Sequence, residues 1–516
     1  MHQHIKLNRK TVKAAFCLAV IFFAAIAIQS QTNGPTDRTV KYFESIRTSP
    51  AQLWAFLLSM PKGADLHNHL SGAIYAESYI QWAAASGDCV NTTTMVVSLP
   101  PCKDGQTPAA NALTNSVLFQ QIIDAWSMRN WQLSGQTGHD HFFGAFAKFG
   151  VATYNQQGKM LAEAVTRAAH GNVFYLELLL TPDGTQTGVF SSQLGDKVGW
   201  DGDFASTLKK LNDNGIDDAI PLSIKNLSDG EAEKDRILKC GTAQAEPGCA
   251  VVVRYIAQVA RNGALGPVFA QMVTGFALAD RPNSKVVGLN LVQGEDGQPS
   301  MQNFSLHMRM LKFLRSKYPH AHLSLHAGEL APGLVPPDGL TFHIRESVMT
   351  AEANRIGHGV DVMHENDSDA LLREMAKRKV MVEICLSSND TILGVSGRQH
   401  PLATYLKYGV PVALATDDEG VSRSEISREY LRAVQDQGLG YLQLRTMARN
   451  SLEYAFIPGA SLWSDAKTFV PVAQCRNDLL AMKLTSNNCR QLVGGSEKAK
   501  LQWQLETAVH EFEQRW

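Results

Sequence analysis

Short, continuous apolar runs alternate with longer stretches of helical periodicity through most of this chain. Eight runs stand out, at 64–70, 173–180, 251–258, 286–292, 322–326, 355–359, 380–386 and 410–416. The interiors of several, such as 173–180 and 286–292, are continuous in Val, Ile and Leu, as in strands buried on both faces. Between them, apolar residues recur at helical spacing over 158–170, 265–279, 303–316 and 368–378. Strand–helix alternation predicts a parallel α/β fold. Eight such units predict a TIM-type (β/α)8 barrel. A doubly wound open sheet is the alternative, but no Gly-x-Gly-x-x-Gly turn follows any run.

The spacing is uneven. Long stretches separate the first run from the second and the second from the third. They predict helical insertions, one holding the aromatic-rich Asp140-His141-Phe142-Phe143-Gly144-Ala145-Phe146. In a barrel such loops, leaving the C-terminal strand ends, form the wall or lid of a site. From Gly438 onward the pattern is mainly helical. With no internal repeat or low-complexity linker, residues 31–516 read as one domain. Its barrel core spans about 61–460, and C-terminal helices occupy 461–516.

The N-terminus differs in character. Lys6, Arg9, Lys10 and Lys13 precede an uncharged apolar stretch from Ala14 to Ile28 and then Gln29-Ser30-Gln31. That is the layout of a signal peptide over residues 1–30. The stretch is short for a membrane span, which needs about 20 residues, though an uncleaved anchor is the alternative. The expectation is export, to the periplasm or beyond, with no membrane attachment after cleavage. A formal net charge of −1 over 516 residues suggests no nucleic-acid partner. Apart from Cys17 there are seven cysteines, six of them in close couples: Cys89/Cys102, Cys240/Cys249 and Cys475/Cys489. Proximity favours these disulfides among the fifteen pairings six cysteines allow, and an oxidising compartment suits them. Cys385, in an apolar run, reads as a buried free thiol.

Four strand ends carry chemistry. His67 and His69 in Leu66-His67-Asn68-His69-Leu70 are two residues apart, so on a strand both rings project to one side. Downstream come His326-Ala327-Gly328-Glu329, Arg355-Ile356-Gly357-His358-Gly359 and Ala415-Thr416-Asp417-Asp418. Neutral imidazoles and a carboxylate suit zinc or another borderline divalent metal. The first and eighth strands of a closed barrel are neighbours, so His67, His69, His326 and Asp417 can converge on one ion per chain. With a water added, the centre is at least five-coordinate, and that water's pKa falls from about 15.7 towards 7. Glu329, His358 and Asp418 then stand where proton management in a hydrolysis needs them. His358 lies between two glycines that would leave its ring accessible. His307, His343 and His364 read as surface or helix residues.

Together these motifs resemble the adenosine deaminase family of metal-dependent hydrolases. The resemblance rests on Pro61-Lys62 with Leu66-His67-x-His69-Leu70-x-Gly72-Ala73, on Tyr175-Leu176-Glu177-Leu178, and on the three downstream motifs above. Glu383-Ile384-Cys385 with Ser387-Ser388-Asn389 completes it. A signal peptide and long insertions make the layout similar to the secreted, growth-factor-related branch. The resemblance implies zinc held by His67, His69, His326 and Asp417. It implies proton donation by Glu329 to purine N1, and a water oriented and deprotonated by His358 and Asp418. The implied reaction converts adenosine or 2′-deoxyadenosine to the inosine counterpart and ammonia.

Two departures bear on the substrate. The acid that commonly follows His-x-His-Leu and contacts the ribose 5′-hydroxyl is Ser71 here. In Leu289-Asn290-Leu291-Val292-Gln293-Gly294-Glu295, Asn290 replaces an acid and the glycine falls one place later, so Gly294 is a candidate backbone contact to the base. Ser71, Gly294 and Asp418 are thus the substrate-binding candidates, and a homo-oligomer is possible. The alternatives are deamination of another aminopurine, amide or ester hydrolysis on the same barrel, and a secreted binding or signalling protein with incidental catalysis. The second is disfavoured because the 286–292 run offers no lysine to bridge two metals.

Overall fold

A computed structural model describes residues 34–282 and 284–516. The segment read as a signal peptide lies outside the described residues. Eight parallel strands form the central sheet in chain order. They are β1 (Gly63–His69), β2 (Val173–Leu180), β3 (Val252–Ala260), β4 (Val286–Val292), β5 (His322–Ala327), β6 (Arg355–His358), β7 (Met381–Ile384) and β8 (Val412–Leu414). Closure comes from a parallel bridge between Asn68 and Asp417. There the His69 N–H donates to the Asp417 carbonyl (2.9 Å) and the Asp417 N–H to the His67 carbonyl (2.8 Å). The backbone that shuts the barrel therefore belongs to three of the candidate ligands.

Every β1 residue is buried, Asp65, His67, Asn68 and His69 included, as in a barrel strand covered on both faces. Ala64, Leu66, Tyr175, Met381 and Ala413 fill the barrel interior and pack on Leu452, Leu501 and Leu505 from C-terminal helices. Gly63, at φ +75°, starts β1 so close to the next layer that a Cβ would lie 2.5 Å from the Ala448 carbonyl oxygen.

The last two strands are shorter than their apolar runs. After β7 the chain turns at Cys385 into the helix Leu386–Leu393. After β8, Ala415, Thr416 and Asp417 leave the ladder and carry Asp417 to the barrel mouth. The insertion after β1 includes the helices Ala76–Ser86, Ser116–Trp126, Gly138–Phe149 and Gln157–His170, with a small antiparallel sheet. The insertion after β2 holds Phe190–Val198, Phe204–Asp213 and Ala219–Ile237. The C-terminal extension is not purely helical: a hairpin pairs Trp463–Asp465 with Val470–Pro471 before the helices Asn487–Gly495 and Glu497–Glu513.

The three local cysteine couples are disulfides, Cys89–Cys102, Cys240–Cys249 and Cys475–Cys489, and Cys385 is free and buried. All three lie outside the barrel strands, one in each insertion and one in the C-terminal extension. Among the described residues no helix is long and apolar enough to cross a membrane.

Candidate metal centre and its pocket

β1 delivers His67 and His69, the end of β5 delivers His326, and the segment after β8 delivers Asp417. Their donor atoms all lie within 4.8 Å of one another. His326 Nε2 is 3.1 Å from His67 Nε2 and 3.3 Å from His69 Nε2. Asp417 Oδ1 is 3.3 Å from His69 Nε2 and 3.5 Å from His67 Nε2. Donors about 2.0–2.1 Å from one ion at tetrahedral angles sit roughly 3.3 Å apart. The spacing therefore matches a shared cation.

The other ring atoms settle which nitrogens face inward. His67 Nδ1–H donates to Glu383 Oε2 (2.7 Å) and His326 Nδ1–H to Asn290 Oδ1 (2.8 Å), while Asn290 Oδ1 also accepts the His326 backbone N–H (2.8 Å). Both Nε2 lone pairs are left pointing at each other, an arrangement a cation between them would stabilise. Outer partners of this type commonly fix the ring orientation of ligating histidines. Ser388 Oγ donates to Asp417 Oδ2 (2.6 Å), which leaves Oδ1 for the ion.

Charge follows the same logic. Burial holds His69 down to about 4 and, with the neighbouring His67, His358 and His69 rings, His326 well below its ordinary range. Both are neutral ligands at physiological pH. His67 goes the other way: burial opposes its charge, but hydrogen bonds to Asp417 and Glu383 outweigh it and raise it to about 10. Two carboxylates flanking one imidazole call for positive charge, which a divalent cation would supply in place of the proton. Asp417 is likewise held below the usual carboxylate range: burial works against that, but the His67 hydrogen bond and the nearby imidazoles prevail.

Glu329, Asp418, Ser71 and Gly294 line one cavity of about 530 Å³ together with His69, His326 and Asp417. Glu329 is lifted to about 8, by burial first and then by the charge of Asp417. Asp418 is raised well above the carboxylate range for the same two reasons. Its Oδ1 is buried with no partner, and a Cβ on Gly72 would lie 1.5 Å from it. Only glycine permits that approach.

His358 does not line the cavity, and its ring is fully buried rather than accessible as the flanking glycines suggested. Those glycines have other work: a Cβ on Gly357 would lie 2.6 Å from the His67 ring. A relay fixes the His358 tautomer. The Leu402 N–H donates to His400 Nδ1 (3.2 Å), so His400 Nε2–H donates to Asn389 Oδ1 (3.1 Å) and Asn389 Nδ2 to His358 Nδ1 (2.9 Å). The proton of neutral His358 is thereby left on Nε2, 3.6 Å from Glu329 Oε1. Burial keeps the ring neutral, lowered to about 3. His358 (φ +69°) and Asp417 (φ +61°) both occupy the left-handed backbone region, a strain that collects at functional sites.

The insertion after β1 supplies the opposite wall, with His139, Phe142, Phe143 and Phe146 from the helix Gly138–Phe149. Glu295 holds the Glu329 loop from behind: its carboxylate accepts the N–H groups of Gly328 (3.1 Å) and Glu329 (2.8 Å) and the Nδ1–H of His343 (2.6 Å). His343 and His307 are helix residues as read, but both are fully buried. Glu383, Ser388, Asn389 and Glu295 stood in the motifs read from the sequence without a role assigned to them, and His400 was not read at all. A lone acid inside an apolar run marks Glu383; His400 carries no such mark.

Comparison with known proteins fits this geometry. The adenosine deaminase family model matches residues 230–462. That segment contains His326, Glu329, His358, Asp417 and Asp418; β1 precedes it. Over that segment the chain is similar to the adenosine deaminase family. It is 36% identical over 173 residues to an adenosine deaminase of Yersinia pseudotuberculosis, covering 33% of this chain and 47% of that protein. It is 37% identical over 146 residues to one of Serratia proteamaculans, covering 28% and 41%. The match thus spans less than half the length of these curated relatives. Two solved structures share the fold. One is the N6-methyl-AMP deaminase of Arabidopsis thaliana, at 19% identity and TM-score 0.51 over 78% of this chain and 94% of that one. The other is a zinc-bound amidohydrolase from Burkhoderia ambifaria, at 16% identity and TM-score 0.51 over 82% and 90%.

Proposed function

We propose that this protein is a zinc-dependent deaminase of purine nucleosides, acting outside the cytoplasm on adenosine or 2′-deoxyadenosine. The observation that carries this reading is one cavity wall presenting both a four-donor cation centre and a buried carboxyl, Glu329, that keeps its proton at neutral pH.

A zinc ion held by His67, His69, His326 and Asp417 would polarise a water towards hydroxide at neutral pH. Glu329 donates its proton to the purine ring nitrogen N1, which makes C6 electrophilic. His358 Nε2–H orients the oxygen that adds at C6. With a bound cation's charge holding Asp418 ionised, its unpartnered Oδ1 takes the water's proton and passes it to the leaving nitrogen. The C6–O bond forms, the C6–N6 bond breaks, and water plus nucleoside leave as the inosine product and ammonia. The aromatic wall of Phe142, Phe143 and Phe146 buries the faces of the base. Assigning the donor role to His358 and the base role to Asp418 follows from the His400–Asn389 relay.

The test is loss of adenosine's ultraviolet absorbance, with ammonia release measured in parallel, before and after treatment with a chelator. Turnover that is lost on chelation and restored by zinc is expected. A protein that binds one zinc and releases ammonia from no aminopurine would defeat the proposal.

A further inference from the structure

The cavity does not end at Ser71. A second groove, of about 750 Å³, shares Ser71 and Gln258 with the cavity, so the two spaces meet two residues beyond His69. Its walls come largely from the two insertions: Asn155 and Gln157 belong to the first, Thr187, Asn226 and Glu233 to the second. Hydroxyls, amides and carboxylates face it, and no Lys, Arg or His is among its lining residues. Gln157 Nε2 is buried there without a hydrogen-bond partner. Glu233 is one-third exposed, with its nearest cation, Arg236, 3.9 Å away.

We propose, resting on the purine reading of the adjoining cavity, that the preferred substrate carries a polar extension on the 5′ side of its sugar, and that this extension passes Ser71 into the groove. The base must place its amidine edge against Glu329 and the metal donors, which leaves the sugar for the flank beside His69, where Gln258 hydrogen-bonds the ring. Ser71 and Gln258 stand where that flank opens. An acid at position 71 would close the gap with a charge; a serine leaves it passable. The lining selects the chemistry of the extension. A phosphate needs Arg or Lys partners, and the groove has none. Hydroxyl groups match Thr187, Gln157 and the side-chain oxygen of Asn226, whose Nδ2 already donates to the Pro182 and Gly184 carbonyls, and an amine matches Glu233. The class is therefore a purine nucleoside with an uncharged or cationic 5′ substituent, not a nucleotide.

The test compares kcat/KM of the metal-loaded full chain for four probes. They are adenosine, a 5′-aminoalkylthio-5′-deoxyadenosine, its hydroxyalkyl counterpart, and 5′-AMP. The amine probe is expected to exceed adenosine by roughly fivefold, the worth of one partly exposed ion pair. The hydroxyl probe should at least equal adenosine, and 5′-AMP should fall well below it. Glu233→Lys should abolish the amine preference, read as the amine-to-adenosine ratio of kcat/KM within the variant. An amine-to-adenosine ratio of one or less, or a preference that survives Glu233→Lys, overturns the groove proposal while leaving the deaminase reading intact. If no probe is turned over, the deaminase reading fails instead. Calorimetric binding of the same probes then decides the groove: tighter binding of the amine probe supports it, and equal or weaker binding overturns it.

Discussion

The two ends of the barrel are built from the same residue types to opposite purposes. In the lower half, buried charges are paired. Glu177 accepts the Tyr175 hydroxyl (2.9 Å), the Phe456 N–H (2.6 Å) and Arg355 Nη2 (2.5 Å). Arg355 also donates to the Tyr454 carbonyl (3.1 Å), sits 2.6 Å from Glu383 Oε1 and lies 3.8 Å over the Phe456 ring. Lys62 Nζ donates to the carbonyls of Met60 (2.9 Å) and Gly171 (2.8 Å). At the upper end, Asp418 Oδ1, His358 Nε2 and Asn290 Nδ2 have no partner, and two candidate residues hold left-handed backbones. Pairing serves stability below; unspent hydrogen-bonding capacity serves chemistry above. Glu383 belongs to both, with one oxygen towards Arg355 and Ser324 and the other on His67.

This contrast can be broken by separating activity from stability. Glu329→Gln keeps the shape of the carboxyl and removes its proton transfer. It should lower kcat by about 10²–10⁴-fold, with metal content and denaturation midpoint unchanged or the midpoint slightly raised. Retained turnover would take Glu329 out of the donor role. Arg355→Met does the reverse. It strands Glu177 and Glu383 without their cation, and breaking a buried pair this way costs roughly 3–5 kcal/mol. Denaturant unfolding of the metal-free protein would show this loss. A change below about 1 kcal/mol would mean the lower end is not the stability centre argued here.

The upper end was largely legible in the sequence and the lower end was not, for a physical reason. His67, His69, His326 and Asp417 are polar residues interrupting or ending apolar runs, and their strand positions follow from the two-residue period of a strand. The runs also placed β2 and β4 at their observed bounds. Boundaries failed where the apolar run outlasts the ladder, as at β7 and β8, because hydrophobicity reports burial rather than hydrogen bonding. The relay from His400 through Asn389 to His358 spans a helix and a loop, and nothing local marks it. The helices Pro35–Ile46 and Pro50–Ser59 were also unread. They pack on the C-terminal helix through Thr36 Oγ1 to Glu513 Oε2 (2.6 Å) and Tyr42 stacked on Trp516 (4.2 Å), contacts nearly five hundred residues apart in sequence. Long-range pairing of this kind leaves no periodic trace.

The smallest expected effect is one of pH. Glu329 has an ordinary value of 4.5 and is raised to about 8 by burial and by Asp417. A carboxyl raised on folding binds its proton more tightly in the native state than in the unfolded chain. Between these two values the native protein therefore holds one proton that the unfolded chain has released, and stability declines as pH rises. The contribution is fully present below about 4.5 and lost as pH passes through about 8. Denaturation midpoints of the metal-free protein, followed from pH 6 to 9, should fall with rising pH. Glu329→Gln, neutral throughout, should make the curve shallower by one proton, with His67 and Asp418, also raised, keeping the rest of the slope. An equally steep slope in the variant would assign the buried proton to another group, Asp418 being the nearest candidate on the same wall. In the metal-loaded enzyme the same proton sets the alkaline limb of kcat/KM, which should decline as pH rises through the same region.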